Sequence, residues 1–76
     1  MTSAPAPLNR LHAMWTEGRC ALGAIATIPS VQTVQIMAQA GLDWILIDME
    51  HGPIGPAEAH AMIAATGGTP LVPLAR

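Results

Sequence analysis

The chain has 76 residues, a formal net charge of −2, and 51% hydrophobic against 11% charged residues, a balance that excludes a disordered chain and allows one domain at most. Three arginines and no lysine make no basic surface for phosphates, so nucleic acid is not an expected partner. One cysteine builds neither a disulfide framework nor a zinc site; with no leader pattern at the N-terminus and no apolar run near the ~20 residues that cross a bilayer, no membrane partner and a cytoplasmic location are expected.

Residues 1–7 form an Ala/Pro tail with nothing to order it. Leu8, Leu11, Met14 and Trp15 then recur on one helical face, and Gly18 ends that helix. Cys20 to Ile28 is a short apolar run, predicted as a strand buried on both faces. After the Pro29-Ser30 turn, with Ser30 as N-cap, Val31, Val34, Met37 and Ala38 predict a second helix closed by Gly41. Trp44 to Ile47 is a second strand, apolar on both faces and ending at Asp48. The polar loop Met49–Pro53 follows. A third helix opens on Pro56, carries Glu58 in its first turn, and runs to Thr66 before Gly67-Gly68. Residues 70–75 predict a third strand, although Pro73 argues against a central place in a sheet.

A helix followed by strand–helix, strand–helix and strand predicts an α/β fold with parallel strands. The composition, rich in Ala, Ile, Leu and Met and without Phe or Tyr, suits a layer that further layers cover. The domain is therefore expected to be incomplete, with residues 8–76 forming the first portion of something larger.

In parallel α/β folds chemistry gathers at the carboxyl ends of strands. Asp48, Glu50 and His51 follow the second strand, and Arg76 follows the third. Asp48 and His51 have two readings. If the loop turns back, the carboxylate fixes the tautomer of the imidazole and the pair is an acid–base dyad. Otherwise Asp48 caps the next turn and His51 is incidental. Arg76 either grips a carboxylate by two points or stands in water. Of the remaining polar residues, His12, beside the apolar stripe of the first helix, is expected at the surface or its boundary and His60 in solvent. Cys20 is expected as a small buried hydrophobe, and Glu17 and Asp43 as turn and helix-end residues. No spacing fits a phosphate-binding glycine loop, and without lysine no Schiff base can form.

Three segments together resemble the N-terminal third of the HpcH/HpaI aldolase family: Gly18-Arg19, the run Ala40-Gly41-Leu42-Asp43-Trp44-Ile45-Leu46-Ile47-Asp48-Met49-Glu50-His51-Gly52-Pro53, and Pro70 to Arg76. The resemblance implies a truncated (β/α)₈ TIM barrel, of which about three strands and their helices are present. It implies a homohexameric, metal-dependent (class II) lyase that cleaves 4-hydroxy-2-oxo acids into pyruvate, or a related 2-oxo acid, and an aldehyde. By the same resemblance His51 is the acid–base residue, Asp48 its orienting partner and Arg76 the substrate-binding cation. Glu50 belongs to the same loop, beside a metal-bound water. The implied divalent ion (Mg2+, Mn2+ or Co2+) has its ligands on later strands, so no metal ligand is expected within these residues and the piece alone should be inactive. Ile25 stands near a position where some members carry tryptophan, which leaves the aldehyde side of the pocket open. The competing expectations are a non-catalytic α/β piece that only binds a partner, and a relative of the citrate lyase and malyl-CoA lyase type.

Overall fold

The computed structural model describes residues 7–76. The predicted tail therefore lies outside the described residues, apart from Pro7, which opens the first helix. The elements run α1 (Pro7–Thr16), β1 (Gly23–Ala26), α2 (Val31–Gln39), β2 (Trp44–Ile47), α3 (Pro56–Ala64) and β3 (Val72–Ala75). The three strands form one parallel sheet in the order β1-β2-β3. Helix connections make this the available geometry, since parallel neighbours need a crossover between them.

The local signals act where the sequence places them. The Ser30 hydroxyl accepts the Thr33 amide at 3.1 Å, satisfying one of the free donors at the start of α2. Gly41, at φ +86°, takes the left-handed position after the Ala40 C-cap. Pro56 opens α3 with Glu58 in the first turn. The third helix is shorter than expected, ending at Ala64 rather than Thr66. The Thr66 hydroxyl instead donates to the Ile63 carbonyl at 2.7 Å, so Thr66 belongs to the turn that follows the helix.

The register pairs Gly23, Trp44 and Val72 in one row and Ala26, Ile47 and Ala75 in another. Side chains alternate between faces along a strand, so Ala26, Ile45 and Ile47 point to one side of the sheet. There they join Val34 of α2, Ala59 and Met62 of α3, and Ile54 and Leu71 from the loops. Ile45 and Ile47 are wholly buried, each stabilising the fold by about 1.5–3 kcal/mol relative to exposure. The opposite face carries Trp44, Leu46, Val72 and Leu74. Leu11 and Met14 of α1 cover its lower part, packing with Val72 and against Ala21, Trp44 and Leu74.

Further expectations from sequence need correction. The strand expected over Cys20–Ile28 shrinks to four residues, and it is not buried on both faces: Ala26 is buried while Ile25 is 54% exposed. The reason is its place at the edge of the sheet, beside β2 only and beyond the reach of α1. Trp44 and Leu46 are likewise only half-buried, because α1 covers just one end of that face. Trp15, expected on the buried stripe of α1, is 58% exposed at the rim of the hollow that this leaves. Cys20 lies before β1 and is exposed, not a buried hydrophobe. Pro73, by contrast, fits without loss. The amides of Val72 and Arg76 point to β2, donating to Asp43 and Ile47, so by strand alternation the Pro73 nitrogen faces the open edge, where no ladder bond to β2 is forfeited.

No helix among the described residues is long and apolar enough to cross a membrane.

Candidate active site

The carboxyl ends of the three strands are tied together at Asp48. Its amide donates to Ala26 O of β1 at 3.0 Å. Arg76 continues the β3 ladder, donating its amide to Ile47 O at 3.1 Å and accepting the Met49 amide at 2.9 Å. Asp48 and Arg76 are thus fixed through backbone before either side chain acts. The loop that follows is pressed onto the end of β1. A Cβ at Gly52 would come within 2.6 Å of the Thr27 carbonyl oxygen, so only glycine allows this approach.

The Asp48 side chain is only 3% exposed, and its two oxygens have different duties. Oδ1 accepts the amides of Glu50 and His51, each at 3.0 Å. Oδ2 accepts from His51 Nδ1 at 3.0 Å and from Arg76 Nη2 at 3.2 Å. Asp48 therefore makes both of the contacts that the sequence held as alternatives: one oxygen caps the turn and the other holds the imidazole. Burial by itself would push the Asp48 carboxyl up. The His51 amide, the Arg76 guanidinium, the His51 ring and the Glu50 amide outweigh it and hold the carboxyl well below the usual carboxylate range.

An ionised Asp48 is acceptor-only, so neutral His51 must carry its proton on Nδ1. Its Nε2 lone pair is then the free one. The imidazole is 66% exposed and the Arg76 side chain 45% exposed, so both present their unused nitrogens to whatever enters from the strand ends. Arg76, left undecided by the sequence, is an ion-pair partner here rather than a solvated end. The Glu50 side chain is exposed and makes no hydrogen bond with the described residues; the residue contributes its amide to the turn. His12 and His60 are exposed, as their positions predicted.

The residues described here do not by themselves hold a divalent cation. Among the described residues no three His, Cys, Asp or Glu side chains come together to hold one. The buried carboxylate has about four acceptor positions, and N–H donors take all four.

One cluster escaped the sequence reading. Asp43, expected as a helix-end residue, stands at the opposite end of β2. Its Oδ1 takes Arg10 Nη2 at 2.9 Å and its Oδ2 the Leu22 amide at 2.9 Å. Its backbone accepts from Val72 and donates to Leu22. The Leu22 amide and the Arg10 guanidinium hold its carboxyl below the ordinary value. The available signal was Arg10, four residues before Met14 and so on the helical face that turns toward the sheet.

No protein-family profile matches the chain. Over 70 residues it is 40% identical to a protein of Sagittula stellata named hydroxypyruvate/pyruvate aldolase, an alignment covering 92% of this chain and 28% of that protein. It is 36% identical over 64 residues to a protein of Novosphingobium aromaticivorans named 4-hydroxy-2-oxovalerate aldolase, covering 84% of this chain and 24% of that one. The crystal structure of the citrate synthase SbnG superimposes with a TM-score of 0.79 and 26% identity, over 87% of this chain and 27% of the other. Over most of its length the chain is thus similar to proteins named aldolases, and it spans under a third of the length of these relatives.

Proposed function

We propose that this segment supplies the acid–base residue and the substrate-binding cation of a pyruvate-type aldolase, on the first three strand–helix units of a (β/α)₈ barrel. The reaction is the reversible cleavage of a 4-hydroxy-2-oxo acid into pyruvate, or a related 2-oxo acid, and an aldehyde. The observation that carries this reading is the single Asp48 oxygen that holds His51 at 3.0 Å and Arg76 at 3.2 Å at the strand ends. The 40% identity to a hydroxypyruvate/pyruvate aldolase supports the same chemistry.

In the cleavage direction His51 Nε2 takes the proton of the 4-hydroxyl. The C3–C4 electron pair moves toward C2 as the aldehyde leaves, and an enolate remains. Arg76 faces the carboxylate and the growing negative charge, which a fixed cation stabilises most where charge develops. His51, now protonated, returns its proton to C3 and the 2-oxo acid is released. A class II mechanism would add a divalent ion; the described residues offer it no ligand set, and no step here depends on one.

The test uses the whole protein that carries this segment. Pyruvate release from 4-hydroxy-2-oxovalerate, and condensation of hydroxypyruvate with an aldehyde, are measured for wild type and His51→Ala. The variant should lose ~10²- to 10⁴-fold in kcat. Unchanged turnover in the variant, or no turnover in wild type, removes the reading. Chemistry on citrate or a malyl thioester is the second reading; the superposition on a citrate synthase supports its citrate side alone. Turnover of citrate in place of the 2-oxo acids would establish it.

A further inference from the structure

We infer that Arg76 is a positioning residue for His51, acting through Oδ2 of Asp48, in addition to any contact it makes with substrate. The inference rests on the aldolase reading of this site and adds a second task for its arginine.

The geometry is specific. Oδ1 is fully used by the two amides of the turn, which leaves Oδ2 as the acceptor for side chains. Two donors meet there, and they come from different strands. His51 belongs to the loop after β2, three residues from Asp48, while Arg76 is 28 residues away at the end of β3. The local pair alone has freedom. A carboxylate anchored by one oxygen can rock about its Cβ–Cγ bond, and an imidazole that is two-thirds exposed follows it. The Arg76 guanidinium supplies the missing constraint, a charge-assisted bond to the same oxygen from the neighbouring strand. Its own backbone is fixed on both sides by Ile47 O and the Met49 amide, so the constraint comes from a rigid support.

The guanidinium has the donors for both tasks. It carries five N–H groups and gives one Nη2 hydrogen to Asp48. The rest remain for a carboxylate, in keeping with a side chain 45% exposed. The other charged group near the imidazole is Glu50, whose exposed carboxylate touches neither partner. Nothing else charged on β1 or β3 faces the pair: the end of β1 offers Ala26 and Thr27, and β3 offers Ala75.

The experiment separates positioning from binding. Steady-state kinetics and ¹⁵N spectra of the His51 ring are recorded for the whole protein with Arg76→Ala and Arg76→Lys. In Arg76→Ala, saturating 2-oxo acid should not restore turnover: kcat falls ~10- to 100-fold as KM rises. The ring spectrum, recorded without substrate, should change from one dominant Nδ1–H tautomer to a mixture. Arg76→Lys keeps a donor for Oδ2 but lacks the two-point grip, so kcat and the ring spectrum should return toward wild type with KM still raised. An Arg76→Ala protein with wild-type ring spectrum overturns the inference, whether its defect is in KM alone or in a kcat that lysine does not restore. If wild type shows no aldol turnover, the functional reading fails, and the substrate-free spectra still decide whether Arg76 orders the imidazole.

Discussion

Asp48→Asn is the sharpest perturbation of this site, because the structure dictates which way the new amide must face. Oδ1 receives two backbone amides, so that position must remain an oxygen. The NH2 group of asparagine is therefore forced into the place of Oδ2, against His51 Nδ1 and Arg76 Nη2. Two N–H groups facing a third repel, and Arg76 has no alternative but to leave. His51 can remain only by accepting through Nδ1, which moves its proton to Nε2. The nitrogen proposed to take the substrate proton then has none of its lone pair available. The same exchange, made in a serine protease whose geometry stays intact, costs about 10⁴-fold in turnover through the wrong tautomer. A loss of ~10³- to 10⁴-fold in kcat is expected here, larger than for removal of Arg76, because one substitution disturbs both partners. Pyruvate release coupled to NADH oxidation gives the rate, and ¹⁵N spectra give the tautomer. An Asp48→Asn protein within tenfold of wild type, or one whose ring still carries its proton on Nδ1, would refute the assignment of Oδ2 as the orienting atom.

Three further outcomes test the scaffold around this site. Gly52→Ala places a methyl 2.6 Å from the Thr27 carbonyl oxygen, so the loop must lift. A cost of about 1–3 kcal/mol in urea unfolding is expected, with turnover falling further than stability because a shift of ~1 Å at His51 is worth ~10²-fold. Gly23→Ala puts its methyl inside the Trp44 indole, so that ring must leave its place against Leu11 and Met14. A red-shifted emission from Trp44, read in a Trp15→Phe background, should accompany a loss of about 1–3 kcal/mol or more, and unchanged emission would contradict the packing. Acid is the third perturbation. Asp43 and Asp48 both bind their protons less readily folded than unfolded. Their stabilisation is therefore complete above the unfolded value near ~4 and fades as pH falls toward the folded ones. The urea midpoint should hold between pH 7 and 5 and drop below ~4, and Asp43→Ala should flatten that drop; equal midpoints at pH 7 and pH 3 would refute it.

What the sequence made legible follows from the range of each interaction. The Ser30 cap, the Gly41 turn and the Pro56 helix start are decided within a few residues, and each lies where its neighbours predict. The Asp48–His51 pair is also local, and spacing alone could raise it, although only coordinates show that the turn cap and the dyad use different oxygens. Burial was harder to read. The apolar run from Cys20 to Ile28 looks the same whether or not a layer lies over it; the structure leaves Ile25 and Leu22 exposed because β1 has one neighbour and α1 ends short of it. Arg76 and Arg10 find their carboxylates 28 and 33 residues away, and no local pattern encodes such partners. Glycine at positions 23 and 52 was silent for the same reason, since the indole and the carbonyl that exclude a side chain belong to other segments.

β2 shows why the two aspartates of this chain have such different meanings. It is a four-residue apolar strand with a carboxylate at each end, roughly 16 Å apart at about 3.3 Å per residue. Each gathers the adjoining segments by the same means, a backbone amide and an arginine from another element: Leu22 and Arg10 at Asp43, His51 and Arg76 at Asp48. At the amino end, among the described residues, the cluster holds no group that moves a proton, and Asp43 binds the first helix to the sheet. At the carboxyl end an exposed imidazole joins it, and the same construction then orients a group that can move a proton. Since the loops of a parallel sheet open at that end, a carboxylate that began as a tie between strands becomes, with one histidine three residues on, the fixed point of a candidate active site.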